Sequence, residues 1–249
     1  MAEDNLVQEA IQIIQSGDKA GVPLRLLGGL AIRLSSPSSG RNPKLRRSYA
    51  DIDFVGLERD NRKIKEILKK LQYVPDEHFN ALHGQTRLNF YDQSLQYHID
   101  IFLDWFKMCH GLDLRVRLFP SYQTITLVDL LVTKLQIVQL NAKDMMDILA
   151  LLNDHEVVQG EKPNAIDVDY LSQLTHSDWG LYTTLNDNLK RTRETIPDFL
   201  SETEGVVVAK RITTILDVLE ETPKTMRWRL RAKIGRRMEW YELPDVVNR

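Results

Sequence analysis

Leu26-Leu27-Gly28-Gly29-Leu30-Ala31-Ile32-Arg33-Leu34, a polar stretch from Ser35 to Arg47, and then Ser48-Tyr49-Ala50-Asp51-Ile52-Asp53-Phe54-Val55 decide how this chain is read. Leu24 to Leu27 predicts a short strand running into Gly28-Gly29, and Leu30 to Leu34 suits a short helix. A glycine pair after a strand lets backbone approach a ligand closely, because no Cβ stands in the way. The start of the following helix offers unpaired N–H groups to an anion such as phosphate. Ala50 to Leu57 predicts a second strand. Asp51 and Asp53 are two apart on it, so both carboxylates point to one face. Two carboxylates side by side repel each other unless a cation lies between them, and the hard oxygen donors point to Mg²⁺.

A third acid belongs with this pair. Tyr97 to Leu103 alternates: Ile99, Ile101 and Leu103 share one face, and His98, Asp100, Phe102 and Asp104 the other. Aspartate is depleted in strands, and the strands carrying Asp51, Asp53 and Asp100 are otherwise apolar. Three such acids can converge on one or two divalent cations. The competing reading is a solvated strand edge with exposed acids. Thr86 to Tyr91 and Arg115 to Phe119 also read as strands, with short loops between antiparallel neighbours.

Outward from there the chain is ordinary for a globular protein. It has 249 residues, 43% apolar and 27% charged, with a net charge of −2, so there is no overall attraction to nucleic acid or membrane. Cys109 is the single cysteine, which excludes an intrachain disulfide and a cysteine-based zinc site. Residues 4–17 predict an amphipathic helix, ended by Gly21-Val22-Pro23. The N-terminus lacks the basic flank and apolar core of a signal peptide, and no apolar run is long enough to span a membrane, so a cytoplasmic location is expected. Ser35 to Pro43 reads as a loop and residues 60–72 as a helix. Residues 127–140 and 143–153 predict two helices broken at Asn141. Gly160 and Pro163 mark a linker, and 167–175, 178–193, 206–221 and 224–241 predict further helices. The expected architecture is α+β: a mixed sheet flanked by helices over 1–158, followed by a helical domain over 159–249.

Gly28-Gly29, Asp51-Ile52-Asp53 and Asp100, in that order, resemble the nucleotidyltransferase superfamily, whose fold is shared with DNA polymerase beta. Within it the chain is most similar to the AbiEii-like and minimal nucleotidyltransferase group. Arg47-Ser48-Tyr49-Ala50-Asp51-Ile52-Asp53 matches that group's Arg-x-Thr-x-Asp-x-Asp run, except that Tyr49 replaces threonine. Thr126 to Leu135, Lys143-Asp144 and Asp147 also look like it. The similarity covers about residues 20–155, and the gap from Gly29 to Asp51 is longer than in many members. The resemblance implies transfer of a nucleoside monophosphate from a nucleoside triphosphate. Gly28 and Gly29 would seat the phosphates. Asp51 and Asp53 would hold two Mg²⁺ ions, with Mn²⁺ as a substitute, and Asp100 would bind the second ion and help deprotonate the acceptor. The acceptor stays open between a small molecule, a protein hydroxyl and an RNA 3′ end. The same resemblance admits the toxin half of a toxin–antitoxin pair, with an antitoxin protein as partner. A nucleotide- or partner-binding module without turnover and a plain interaction protein are the alternatives.

Other residues have two readings each. Lys134 lies among apolar residues of its helix and either snorkels at an edge or, as the resemblance implies, reaches the triphosphate. Asp144 and Asp147 are expected to pair with Lys143 or Lys134. Ser35 and Ser36 donate to phosphate or cap a loop. Arg41, Lys44, Arg46 and Arg47 form a basic loop before Asp51, with Arg47 a candidate phosphate contact. Lys224 to Arg237 is basic, with Met226, Leu230, Ile234 and Met238 spaced by four; a solvated helix face and a nucleic-acid contact are its two readings.

Overall fold

The alternation read along Asp51–Val55 becomes a central strand in the computed structural model, which describes residues 2–94, 97–119 and 121–243. The chain runs through α1 (Ala2–Lys19), β1 (Arg25–Leu27), α2 (Gly28–Ser35), α3 (Ser38–Arg41), β2 (Asp51–Gly56), α4 (Asn61–Lys70), β3 (Val74–Pro75), α5 (Glu77–His83), β4 (Arg87–Tyr91) and β5 (His98–Leu103). It continues through β6 (Trp105–Lys107), β7 (Gly111–Asp113), α6 (Leu127–Leu135), α7 (Ala142–Asp154), β8 (Glu156–Val158), β9 (Ala165–Asp167), α8 (Val168–Thr175), α9 (Trp179–Phe199), α10 (Glu202–Glu221) and α11 (Met226–Ile234). Two compact units result. The first takes the chain to Ser35, Ser48–Phe106 and Gly111–Thr126; the second takes Ser36–Arg47, Lys107–His110 and the chain from Leu127.

The first unit is built on a five-stranded mixed sheet in the order β1-β2-β5-β4-β3. β2 and β5 run parallel at its centre, and every other neighbouring pair is antiparallel. Ile52, Phe54, Ile99, Ile101, Leu88 and Phe90 are all buried on one face, as period-two alternation requires. α1 and α4 pack on each other and on the flanking strands. α4 turns Ile64, Ile67 and Leu68 inward and its lysines outward.

The second unit is helical, apart from the short parallel pair β8–β9. α6, α7, α8, α9 and α10 bury Leu130, Leu131, Ile148, Leu149, Leu185, Leu189, Ile212 and Ile215. Side-chain caps fix several helix starts: Asn141 with Asp144 for α7, Asp178 for α9, and Ser201 with Glu204 for α10. β8 and β9 pair across the position expected for the linker, so α6 and α7 belong with the later helices. Among the described residues no helix is long and apolar enough to cross a membrane.

Two local expectations are corrected, and one helix lies where the sequence carried no expectation. Arg115 to Phe119 is not a strand: Asp113 accepts from the Arg115 backbone N–H at 3.1 Å and from its guanidinium, which makes a turn instead. The preceding strands are β6 and β7. Ser35 to Pro43 is not wholly loop, since it contains α3. Finally, α5 went unread, although Asp76 accepts from Phe79 N–H at 2.9 Å and caps it.

Candidate active site

The polar face of the central sheet is assembled by register. The parallel pairing of β2 with β5 sets Asp53 beside Asp100 and Asp51 beside His98. β4 then sets Asn89 on the other side of Asp100 and Arg87 beside Phe102. Four polar positions on three adjacent strands, Asp51, Asp53, Asp100 and Asn89, therefore share one face.

Gly28 is the first residue of α2 and sits against Asp53. Its φ of +71° lies in the left-handed region. A Cβ built there would overlap Asp53 Oδ2 and lie 3.1 Å from Asp53 Cγ. Glycine is thus required twice, once by the backbone and once by the carboxylate. The free N–H groups at the start of α2 lie at this end of the helix. Ser35 is the last residue of α2, roughly 10 Å along the axis from Gly28 at 1.5 Å per residue. The helix begins at Gly28 itself, so Ser35 is not placed to donate from its start. Ser36 is buried in the second unit, its hydroxyl 3.3 Å from His155 Nε2.

Asp100 is buried, and Arg87 grips both of its oxygens: Nε to Oδ1 at 2.9 Å and Nη2 to Oδ2 at 2.7 Å. The guanidinium lies 4.6 Å from the centre of the Phe102 ring. Asn89 Nδ2 is 3.4 Å from Asp100 Oδ1, and Asn80 fixes the Asn89 backbone with bonds of 2.7 and 2.9 Å. Asn89 Oδ1 and His98 Nδ1, both on the same sheet face, are buried without a hydrogen-bond partner among the described residues. Among the described residues no three His, Cys, Asp or Glu side chains lie close enough to hold a metal ion. Asp51, Asp53 and Asp100 share one face of the sheet. Asp51 and Asp53 remain half-buried.

Arg87 and Asn89 were not singled out from the sequence. The signal was available in principle: Thr86 to Tyr91 reads as a strand antiparallel to the Asp100 strand, and period two puts Arg87, Asn89 and Tyr91 on its polar face. What the sequence does not fix is the register that sets Asn89 beside Asp100.

The other two candidate phosphate contacts belong to the second unit. Arg47 forks onto Asp147, Nε to Oδ1 at 3.0 Å and Nη2 to Oδ2 at 2.7 Å. Lys134 Nζ lies 2.9 Å from Asp147 and 3.0 Å from Asp144. Two cations and two carboxylates make a nearly buried, neutral network. Burial alone would push the Lys134 ammonium pKa down; the carboxylates of Asp147 and Asp144 outweigh it, and the net shift is upward. Lys134 is therefore a paired lysine and not a snorkelling one. Cys109 is buried and free, and His110 Nε2 is 2.9 Å from Thr184 Oγ1.

No protein-family model matches the chain, and no curated protein matches it. Among solved structures it is similar to the lincosamide antibiotic adenylyltransferase LnuA, lincomycin-bound, at 16% identity over 58% of this chain and 94% of that one, with a TM-score of 0.41. It is also similar to JHP933 from Helicobacter pylori, at 12% identity over 93% and 96%, with a TM-score of 0.43.

Proposed function

We propose that the chain is a nucleotidyltransferase that passes a nucleoside monophosphate from a nucleoside triphosphate to an acceptor hydroxyl. The observation that carries this reading is the meeting of Gly28 and Asp53: a positive-φ glycine opening a helix, pressed onto a strand carboxylate that has Asp100 as its neighbour. An anion seat and a cation seat in contact are what a metal–triphosphate requires.

The residues fit such a metal. Mg²⁺ takes one or two carboxylates and completes its shell with water and substrate phosphate, without needing an all-protein cage. Asp51 and Asp53 supply that pair, and the missing Cβ of Gly28 lets the start of α2 approach the Asp53 carboxylate closely. When bound, the ion neutralises phosphate charge for in-line displacement. The start of α2 binds and orients the phosphates through its N–H groups. The acceptor oxygen forms a bond to the α-phosphorus as the bond to pyrophosphate breaks, and the acceptor proton leaves to a base. Asp100 is the candidate, and for that role Arg87 must yield one of the two oxygens it holds. The acceptor is a small molecule, a protein hydroxyl or an RNA end; a toxin role with an antitoxin partner stays within the proposal.

The Arg87–Asp100 fork also favours a second reading. A carboxylate already neutralised by a guanidinium needs no ion, which suits a module that holds a nucleotide or partner without turnover. Incubation with labelled ATP, CTP, GTP and UTP plus Mg²⁺ separates the two. Pyrophosphate release or label transfer, lost by about 10³-fold or more in Asp53→Asn with the melting temperature kept, is expected of the enzyme. Nucleotide binding without release supports the silent module, and full activity in both Asp51→Asn and Asp53→Asn refutes the site.

A further inference from the structure

The helix α11 is turned inside out. Trp228 faces α9, its ring 5.3 Å from that of Tyr182. Met226, Leu230 and Ile234 share the opposite face, spaced by four, and are 69%, 55% and 44% exposed. Met238 continues the line at 55%. Aliphatic side chains left in water along a whole helix face mark a contact surface. Leu230 and Ile234 also form one wall of a groove of about 470 Å³, whose lining includes Trp179, Trp240, Arg227 and Arg231 and one acid, Asp178, which caps α9 by accepting from Leu181 N–H.

The rim is strongly charged. From Lys224 to Met238 there are seven Lys or Arg residues and no Asp or Glu, in a chain of net charge −2. Arg231 is used locally, bonding Gly235 O at 2.7 Å and lying 4.6 Å from the Trp179 ring centre. Arg236 pairs with Asp187 and lies 5.3 Å from the Trp240 ring centre. Arg227, Arg229, Lys233 and Arg237 have no acidic partner among the described residues.

These details choose between occupants. A single-stranded nucleic acid needs open aromatic faces for stacking, but Trp228 packs on Tyr182, and arginines lie over Trp179 and Trp240. A bilayer surface is met by a convex face, whereas here the aliphatic stripe borders a concavity. An amphipathic helix laid in a groove uses apolar anchors at i and i+4 with a charged flank, and a basic rim selects an acidic flank. We propose that the α11 groove docks an acidic amphipathic helix of a protein partner. Its aliphatic side chains enter beside Leu230 and Ile234, and its carboxylates meet Arg227, Arg229 and Lys233.

The test pans the full chain against a displayed library of random peptides of about four helical turns, then measures the winners by fluorescence polarisation at low and high salt. Enrichment of Asp- and Glu-rich peptides with aliphatics at i and i+4 is expected. Their affinity should fall about tenfold or more in Leu230→Asp/Ile234→Asp, and separately in Arg227→Glu/Lys233→Glu, with thermal melts unmoved because all four positions are exposed. Failure to enrich such peptides, or equal binding to the Leu230→Asp/Ile234→Asp protein, overturns the proposal. So does tighter binding, through the same residues, of oligo(U) RNA or of phosphatidylserine vesicles.

Discussion

Replacing Gly28 by alanine asks whether the start of α2 and the Asp53 carboxylate form one unit. Gly28 and Gly21 provide a matched pair, with φ of +71° and +67°. An L-residue forced into that region costs about 1–2 kcal/mol. At Gly21 this is the whole effect, because nothing lies within 4 Å of an added Cβ. At Gly28 the Cβ also collides with Asp53 Oδ2, so the carboxylate must leave its rotamer, a further cost of about 1 kcal/mol. Urea unfolding should therefore place Gly28→Ala about 2–3 kcal/mol below wild type and Gly21→Ala about 1–2 kcal/mol below it. The excess is separable. Asp53→Ala removes Oδ2 and Cγ, so the double variant should recover most of that extra ~1 kcal/mol as a coupling term. Recovery stays partial because Asp53 Cβ itself is 3.2 Å from the built atom. If Gly28→Ala costs no more than Gly21→Ala, or the coupling is zero, the phosphate seat and the carboxylate are not in contact and the proposed site loses its basis.

Arg87→Gln leaves Asp100 buried beside Asp53 without its cation; a loss of about 2–3 kcal/mol is expected, below the full buried-pair value because a quarter of the Arg87 side chain is exposed. Millimolar Mg²⁺ should then raise the melting temperature of Arg87→Gln more than that of wild type, read by scanning calorimetry. Lys134→Met strands Asp144 and leaves Asp147 to Arg47 alone, and should cost about 3 kcal/mol by urea unfolding. The folded pKa of Lys134 is raised above its ordinary 10.5, so its stabilisation is complete below 10.5 and lost only as pH climbs through the higher folded value; alkaline unfolding curves of wild type and Lys134→Met should converge there. Burial holds the His110 imidazole below its ordinary 6.5, against the pull of Asp178, so stability is complete above 6.5 and falls as pH drops through the depressed value. His110→Gln should flatten that acid limb in pH-dependent melts.

The sheet was legible because its signal is local. Ile52, Phe54, Ile99 and Ile101 alternate with Asp51, Asp53 and Asp100; burial follows that alternation from Asp51 to Phe54, whereas on β5 Asp100 is buried too, held by Arg87. The helices were legible from period, with ends displaced by a few residues; the expected 60–72 helix is shorter because Gln72 adopts a φ of 68° just beyond Lys70. Partnership was less legible. Asp144 and Asp147, three apart on one helix face, were expected to pair with Lys143 or Lys134, and both lie within ion-pair distance of Lys134. Arg87 on Asp100 depends on the pairing of β4 with β5, and no residue between Tyr91 and His98 dictates that register to the eye. The second unit's boundary was misplaced for a related reason. Gly160 and Pro163 do interrupt regular structure, yet the short strands on either side pair with one another, and three residues apiece are too few to announce it.

The chain treats its acids in two ways, and the difference bears on which cation the site is built for. Asp100, Asp144 and Asp147 are buried, and each is matched to a guanidinium or ammonium on a neighbouring element. Removing a carboxylate from water is costly, and a fixed cation offsets it permanently. Asp51 and Asp53 are half-buried on the sheet face, where part of their hydration remains available. An ion that arrives with its own phosphate ligands needs two partly hydrated carboxylates and an adjacent anion seat, which is what Asp51, Asp53 and Gly28 provide. Mg²⁺ alone should therefore bind weakly and Mg²⁺ with a nucleoside triphosphate strongly. Calorimetric titration showing tight binding of the bare ion would contradict this division of labour.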